Sequence, residues 1–429
     1  MSLRFCMLTT FYPPYNFGGD GIGIERLCHG LVRRGHHVTV VHDEDAWRNL
    51  SKASGVQDPP PRRHPPGLEV ISLKARFGRL SSLLTQQLGR PVVHGRRIAR
   101  ILADGRFDVV NFHNVSLVGG PGLWKYGDAI KLYMAHEHWL VCPSHVLWRH
   151  GRELCDGREC LRCVLHYRRP PQAWRYTGFL AREARHIDAF IAMSEFSRAK
   201  HREFGFAREM EVVNYFLPDP SPAAPAGPAP AAEAALAADA SPHARPYFLF
   251  VGRLERIKGL DEVIPLFRER FTTADLVIAG EGEHGETLRR LAEGIERVRF
   301  LGRVPQEELR RWYRHALALV VPSVCFETFG IILIEAFEQR TPVIARRLGP
   351  FPEIVEKARA GELFDGDDEL LAAMRRLQDD PALRAEYGRR GRQAYLDHWC
   401  ESAVIPKYLD VVRRAAERRG RRDVIEKLA

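Results

Sequence analysis

At 429 residues, with 45% hydrophobic and 28% charged side chains, the chain is too long for one hydrophobic core and too apolar to be disordered or collagen-like. No apolar run reaches the ~20 residues that span a bilayer, and Met1 to Thr10 lacks the apolar stretch of a signal peptide, so a two-domain cytoplasmic protein is expected. A net charge of +10 favours phosphate-bearing partners, whether nucleic acid, anionic lipid or a nucleoside diphosphate, without choosing among them.

Short apolar runs rich in β-branched residues alternate with segments of helical period. Strands are predicted at Phe5 to Thr9, Val38 to His42, Val109 to Phe112, Ile130 to Ala135, Ala189 to Met193 and Val212 to Val213, with a helix near Ile22 to Arg33. Such alternation implies a parallel sheet with helical crossovers. From Pro218 to Pro246 the composition collapses to proline and alanine, which predicts an interdomain linker holding at most a short helix at Ala231 to Ala238. The alternation resumes with Tyr247 to Val251, Leu276 to Ala279, Val298 to Leu301, Leu317 to Val321 and Val343 to Ala345, and Asp367 to Ala429 reads as helices. The expected fold is therefore α/β, with two Rossmann-like doubly wound domains: 1–217, a linker at 218–246, and 247–398. The helical segment 399–429 is expected to cross back to the first domain.

In the second half, Gly252-Arg253-Leu254 follows a strand and Lys258-Gly259 opens the next helix. Free N–H groups and the dipole at a helix start, joined by two cations, suit a diphosphate, although two solvated surface cations would read the same way. Glu327 follows the strand at Leu317 to Val321, and Glu335 lies eight residues on, in a helix from Ile331 to Glu338. Carboxylates there can accept sugar or ribose hydroxyls. The bland alternatives are a dipole-favoured charge for Glu327 and an exposed helical charge for Glu335.

The order GRLERIKG, AGEG, FLGRV, PSVCFETFGIILIEAF, TPVIA and PEIV, running from Gly252 to Val355, resembles the family 4 retaining glycosyltransferases. The resemblance implies a GT-B fold with the active site in the interdomain cleft, and a sugar moved from a nucleoside-diphosphate sugar of the UDP or GDP type. It assigns Arg253 and Lys258 to the diphosphate, Glu327 to the transferred sugar and Glu335 to the ribose, with the Gly252 turn and the Phe329 and Gly330 amides beside them. In the first half, Gly18-Gly19 before a helix and Arg34-Gly35-His36-His37-Val38 look like the family's glycine loop and its following signature, which places Gly19 against the donor. Phe112-His113-Asn114 and His136-Glu137-His138-Trp139 fall where the family carries functional histidines, so His113 and His136 join Glu327 as catalytic candidates. The acceptor is expected to be a carbohydrate, lipid-linked or small-molecule hydroxyl in glycan, glycolipid or secondary-metabolite synthesis. Gly349-Pro350 and Arg340 add bulk where the family is smaller, which leaves the sugar open, and no DxD pair stands at a strand end with the family signature beside it, so a catalytic divalent metal is not implied.

Cys142, Cys155, Cys160 and Cys163 form C-x12-C-x4-C-x2-C. Four thiolates suit a structural Zn2+ ion, with a disulfide, an iron–sulfur cluster or metal-free thiols as alternatives. The basic stretches at Arg76 to Arg106, Tyr167 to Tyr176 and Arg413 to Arg422 read as solvated faces, with contact to anionic lipid at the inner membrane surface or to a polyanionic acceptor as the functional alternatives for the first two. Rival readings of the whole chain are a nucleotide-sugar epimerase of similar fold, and a basic nucleic-acid-binding scaffold organised by the cysteines. No nucleic-acid motif supports the latter. An NAD-dependent dehydrogenase is disfavoured because Gly19-Asp20-Gly21 lies too far beyond the first strand and does not complete G-x-G-x-x-G.

Overall fold

The structure is a computed structural model and describes residues 2–53, 59–60, 62–76, 78–157, 159–220, 240–271 and 273–428. The alanine-rich segment 231–238 lies outside the described residues. The chain forms two compact units, one of Met1–Tyr215 with Val404–Ala429 and one of Phe216–Ala403.

Strands β1 (Arg4–Thr9), β2 (His37–Asp43), β3 (Leu68–Leu73), β4 (Val109–Phe112), β5 (Ile130–Ala135), β8 (Ala189–Ala192) and β9 (Met210–Val212) build the first sheet, in the order β3-β2-β1-β4-β5-β8-β9 with every pair parallel. The central strands are buried along nearly their whole length, as expected where helices cover both faces. The helix Gly19–Arg33 shows how the sequence drives this packing: Ile24, Leu27, Cys28 and Leu31 recur at helical spacing and are all buried. It stops because Gly35 takes a left-handed conformation (φ +83°), and its N–H reaches the Val32 carbonyl at 2.9 Å. A hairpin of β6 (Trp148–Arg149) and β7 (Glu153–Leu154) followed by the helix Cys160–His166 is inserted between β5 and β8.

The helix Glu401–Arg418 belongs to this first unit from Val404 onward. Tyr408 accepts a buried hydrogen bond from Asn111 Nδ2 at 3.0 Å. The basic C-terminal cluster is therefore not an idle solvated face: Arg414 pairs with Glu211, Arg419 with Asp188 and Asp128, and Lys427 with Asp108.

In the second unit β10 (Tyr247–Val251), β11 (Asp275–Ala279), β12 (Val298–Gly302), β13 (Leu319–Val321), β14 (Val343–Arg346) and β15 (Gly361–Phe364) form a parallel sheet in the order β12-β11-β10-β13-β14-β15. The unit's ends are tied together, with Leu217 N–H donating to the Trp399 carbonyl at 2.9 Å and Tyr395 Oη to that of Pro218 at 2.6 Å.

Both sheets reverse their direction of growth once, between β1 and β4 and between β10 and β13. At such a switch point adjacent crossovers diverge and leave a crevice at the carboxyl ends of the strands, which is where open α/β sheets bind ligands. Gly19, His113, Arg253 and Glu327 all lie in the segments that follow these four strands.

Candidate functional site

In the second unit the β10 strand delivers Gly252 and Arg253, and the loop after β13 delivers Ser323 to Gly330. The two loops are laced together, since Val324 N–H donates to the Ile257 carbonyl at 2.9 Å. Gly259 makes this approach feasible: it has φ +75°, and a Cβ there would stand 2.1 Å from the Pro322 carbonyl oxygen. On this frame Lys258 Nζ meets Glu327 Oε1 at 2.5 Å, and Ser323 Oγ donates to the same oxygen at 3.3 Å. Both charged side chains are about one-fifth exposed, so they are partly desolvated and partly accessible. Burial works against the Lys258 ammonium, yet the neighbouring Glu327 carboxylate prevails and raises its pKa. Burial likewise opposes the Glu327 carboxylate, and Lys258 prevails and lowers it. Both remain charged at neutral pH. Arg253 is more than half exposed and paired with Glu255 at 2.6 Å.

Beyond the loop, Gly330 (φ +105°) turns the chain into the helix Ile331–Glu338, whose first turn has no side-chain cap. Its leading N–H groups present the positive end of the helix dipole beside Lys258's partner loop. Phe329 is buried. Glu335, two turns along, is 8% exposed and accepts a hydrogen bond from Tyr313 Oη at 3.2 Å. It is thus a held interior carboxylate rather than an exposed helical charge.

In the first unit Gly19 opens the helix Gly19–Arg33, with Gly18 as an N-cap that offers no side-chain hydrogen bond. The histidines extend from the neighbouring strands β4 and β5. His113 is fully buried; its Nε2 faces Met7 Sδ at 3.5 Å and its Nδ1 lies 2.8 Å from His136 Nε2. His136 Nδ1 is 2.5 Å from Tyr215 Oη. A thioether can only accept, so His113 carries its proton on Nε2 and accepts at Nδ1. His136 then donates from Nε2 and accepts at Nδ1, and Tyr215 donates its hydroxyl proton. Burial first, and the adjacent His136 ring second, pull the His113 pKa well down, while burial lowers that of His136 to about 4. Both rings are neutral at pH 7, as this chain of donors requires. Tyr215 carried no recognisable pattern in the sequence; it stands against Gly23, where a Cβ would be 2.3 Å from the Tyr215 ring.

The four cysteines sit around the inserted hairpin and helix. Cys142 is buried and lies 3.2 Å from Ser144 Oγ, Cys155 Sγ donates to the Gly157 carbonyl at 3.2 Å, and Cys163 Sγ accepts from His150 N–H at 3.5 Å. Burial raises the thiol pKa of Cys155 and of Cys163. Among the described residues no three of these thiols converge within 4.8 Å; the group that does is Asp43, Asp45 and His94. In the nearby basic and aromatic stretch, Arg175 turns inward: its Nη2 donates to the Trp139 carbonyl at 2.7 Å and its guanidinium lies 4.6 Å from the Trp174 ring centroid.

A family model described as glycosyl transferases group 1 matches residues 233–394, and one described as a glycosyl transferase 4-like domain matches residues 18–215. A D-inositol 3-phosphate glycosyltransferase of Pseudarthrobacter chlorophenolicus is 36% identical over 172 residues, a match spanning 37% of this chain and 41% of that protein. A glycogen synthase of Mycobacterium tuberculosis is 26% identical over 414 residues, which cover 91% of this chain and 90% of that one. In fold, the chain resembles sucrose-phosphate synthase from Thermosynechococcus elongatus with a TM-score of 0.67 over 96% of this chain and 98% of that one, at 21% identity.

Proposed function

This chain belongs to the family 4 glycosyltransferases, with the GT-B fold of two Rossmann-like units, and from that premise we propose that it transfers a sugar from a nucleoside-diphosphate sugar to an acceptor hydroxyl with retention at the anomeric carbon. The observation that carries this reading is the Lys258–Glu327 pair beside an uncapped helix start. In it a fixed cation and a fixed anion stand ready to exchange partners when a donor arrives.

The exchange is simple electrostatics. A diphosphate takes over Lys258 and draws Arg253 from Glu255, with the first N–H groups of the helix Ile331–Glu338 adding to the positive field. Glu327, released from Lys258, accepts hydroxyls of the sugar, and Glu335, oriented by Tyr313, accepts those of the ribose. As the anomeric C–O bond breaks, charge collects on the leaving phosphate, where these cations act most strongly. The acceptor hydroxyl attacks from the same face and gives its proton to a leaving phosphate oxygen. The new C–O bond thereby forms with retained configuration. No divalent ion is assigned a part in this step.

Gly19, which opens the helix Gly19–Arg33 without a side-chain cap, offers its backbone N–H to a donor phosphate. Because both ring nitrogens of His113 and of His136 are engaged, these residues act by positioning Tyr215. The half-exposed Leu80, Leu83 and Leu88, close in sequence to the exposed Arg96 and Arg97, support peripheral contact with an anionic membrane and hence a lipid-linked acceptor.

The test is thermal-shift binding of UDP, GDP, ADP and TDP to the wild type and to Arg253→Ala and Glu335→Ala. One diphosphate is expected to raise the melting temperature of the wild type and of neither variant, since saturation at 100 times Kd contributes about 2.7 kcal/mol. Binding of none, or equal binding by the variants, would overturn the donor site.

A further inference from the structure

Asp43 ends β2, Asp45 lies in the first turn of the helix Glu44–Ala53, and His94 directly precedes the helix Gly95–Asp104. Three separate elements thus bring a carboxylate, a second carboxylate and an imidazole to one point. Their ligand atoms lie within 4.8 Å of one another; His94 Nε2 is 3.4 Å from Asp45 Oδ2 and 4.0 Å from Asp43 Oδ1. Donors bound to one tetrahedral ion at about 2.0–2.1 Å stand roughly 3.3 Å apart, so small side-chain shifts would close this triad on an ion.

The protein leaves one buried oxygen of this cluster without the partner that burial demands. Asp43 is fully buried and His94 is 3% exposed. Asp43 Oδ1 accepts the Ala46 N–H at 3.0 Å and Asp45 Oδ2 accepts that of Ala75 at 2.7 Å, and His94 Nε2 faces Asp45 Oδ2 at 3.4 Å, but Asp43 Oδ2 has no hydrogen-bond partner among the described residues. Arg48 and Lys74 each reach the adjacent Glu44 at 2.8 Å. A buried carboxylate oxygen with nothing opposite is costly unless something positive fills the gap. The backbone also makes room: a Cβ at Gly78 would stand 2.3 Å from the Asp45 carboxyl carbon.

We propose that Asp43, Asp45 and His94 form a binding site for a divalent transition-metal ion of the zinc class. Mixed nitrogen and oxygen ligation suits Zn2+ and disfavours Mg2+ and Ca2+, which take oxygen. The ion clamps the end of β2, the loop after β3 and the start of the helix Gly95–Asp104. Its role is structural, and it shares no ligand with the donor residues.

The experiment uses the full chain, stripped with a chelator, re-equilibrated with Zn2+ and gel-filtered before metal analysis. The wild type should retain one equivalent that Asp43→Asn and His94→Gln lack, and Zn2+ should raise the melting temperature of the wild type but not of these two variants. A Cys160→Ser/Cys163→Ser variant should keep that equivalent, which separates this site from the thiols. With Co2+ as probe, the equivalent lost on His94→Gln should show visible d–d bands without thiolate charge transfer. Circular dichroism checks that each variant is folded; Asp45→Asn, at the most exposed of the three ligands, replaces Asp43→Asn should that variant unfold. Equal retention by wild type and folded variants, loss of the equivalent in the cysteine variant, or no retention by the wild type would overturn the proposal.

Discussion

Tyr215 donates its hydroxyl proton to Nδ1 of His136 at 2.5 Å, across 79 positions of sequence. That single donation settles the proton positions of two buried histidines, because the chain ends on Met7, whose sulfur can only accept.

Tyr215→Phe removes the hydroxyl that meets His136 Nδ1 and leaves a buried imidazole nitrogen short of this donor. Such a loss costs about 1–3 kcal/mol, to be read from urea unfolding. A positioning role further requires kcat to fall more than KM changes, with little effect on diphosphate binding. A merely structural role would leave the activity of the folded protein unchanged.

The histidines make stability depend on acid. The folded His136 pKa, near 4, lies below the unfolded value of about 6.5, so the unfolded state binds more protons between them. Stability from this group is complete above about pH 6.5 and is lost as the pH falls toward 4, by roughly 3 kcal/mol. His113 shifts in the same direction and steepens the loss. Melting temperatures of wild type and His136→Gln across this range should converge on acidification.

Lys258→Ala should lower kcat about 10²–10³-fold, the usual effect of removing one group that stabilises transition-state charge. It should also abolish the thermal shift given by the bound diphosphate. Because Lys258 is shifted up and Glu327 down, neither titrates near neutrality, and kcat/KM should be flat from about pH 6 to 8 with respect to this pair. A kinetic pKa in that range that disappears in Lys258→Ala would contradict the assignment.

Gly259→Ala should damage both fold and site. The new methyl would overlap the Pro322 carbonyl and force an alanine into a left-handed conformation. A loss of about 1–3 kcal/mol is expected from backbone strain, together with weakened donor binding as Lys258 is displaced. Thermal unfolding with and without nucleoside diphosphate separates the two effects.

Some of this was legible in the residues alone. Val109–Phe112, Ile130–Ala135 and Tyr247–Val251 have the bounds that their apolar runs predict, because central parallel strands are buried on both faces and therefore write continuous apolar segments. The edge strands Leu68–Leu73 and Gly361–Phe364 write no such run, since both are partly exposed and carry polar residues such as Glu69 and Glu362. Glu335 could be placed on a helix, but whether it faced water or the interior depended on Tyr313, which arrives from another helix.

Local order in sequence determined the strands, the glycine turns and the succession of cationic and acidic motifs, because those depend on neighbours a few residues away. What only the tertiary structure decided was who meets whom over long separations. Tyr215 closes on His136, Lys427 returns to Asp108, and His94 joins Asp43 and Asp45, a group for which the run Asp43-Glu44-Asp45 at a strand end was the one sequence signal. The four thiols, linked in the sequence by their spacing, lie around the inserted hairpin and helix, and among the described residues no three of them come within 4.8 Å. Charge, hydrogen bonding and metal affinity act over a few ångströms in space, and spacing along a chain measures that distance only within one turn or one strand.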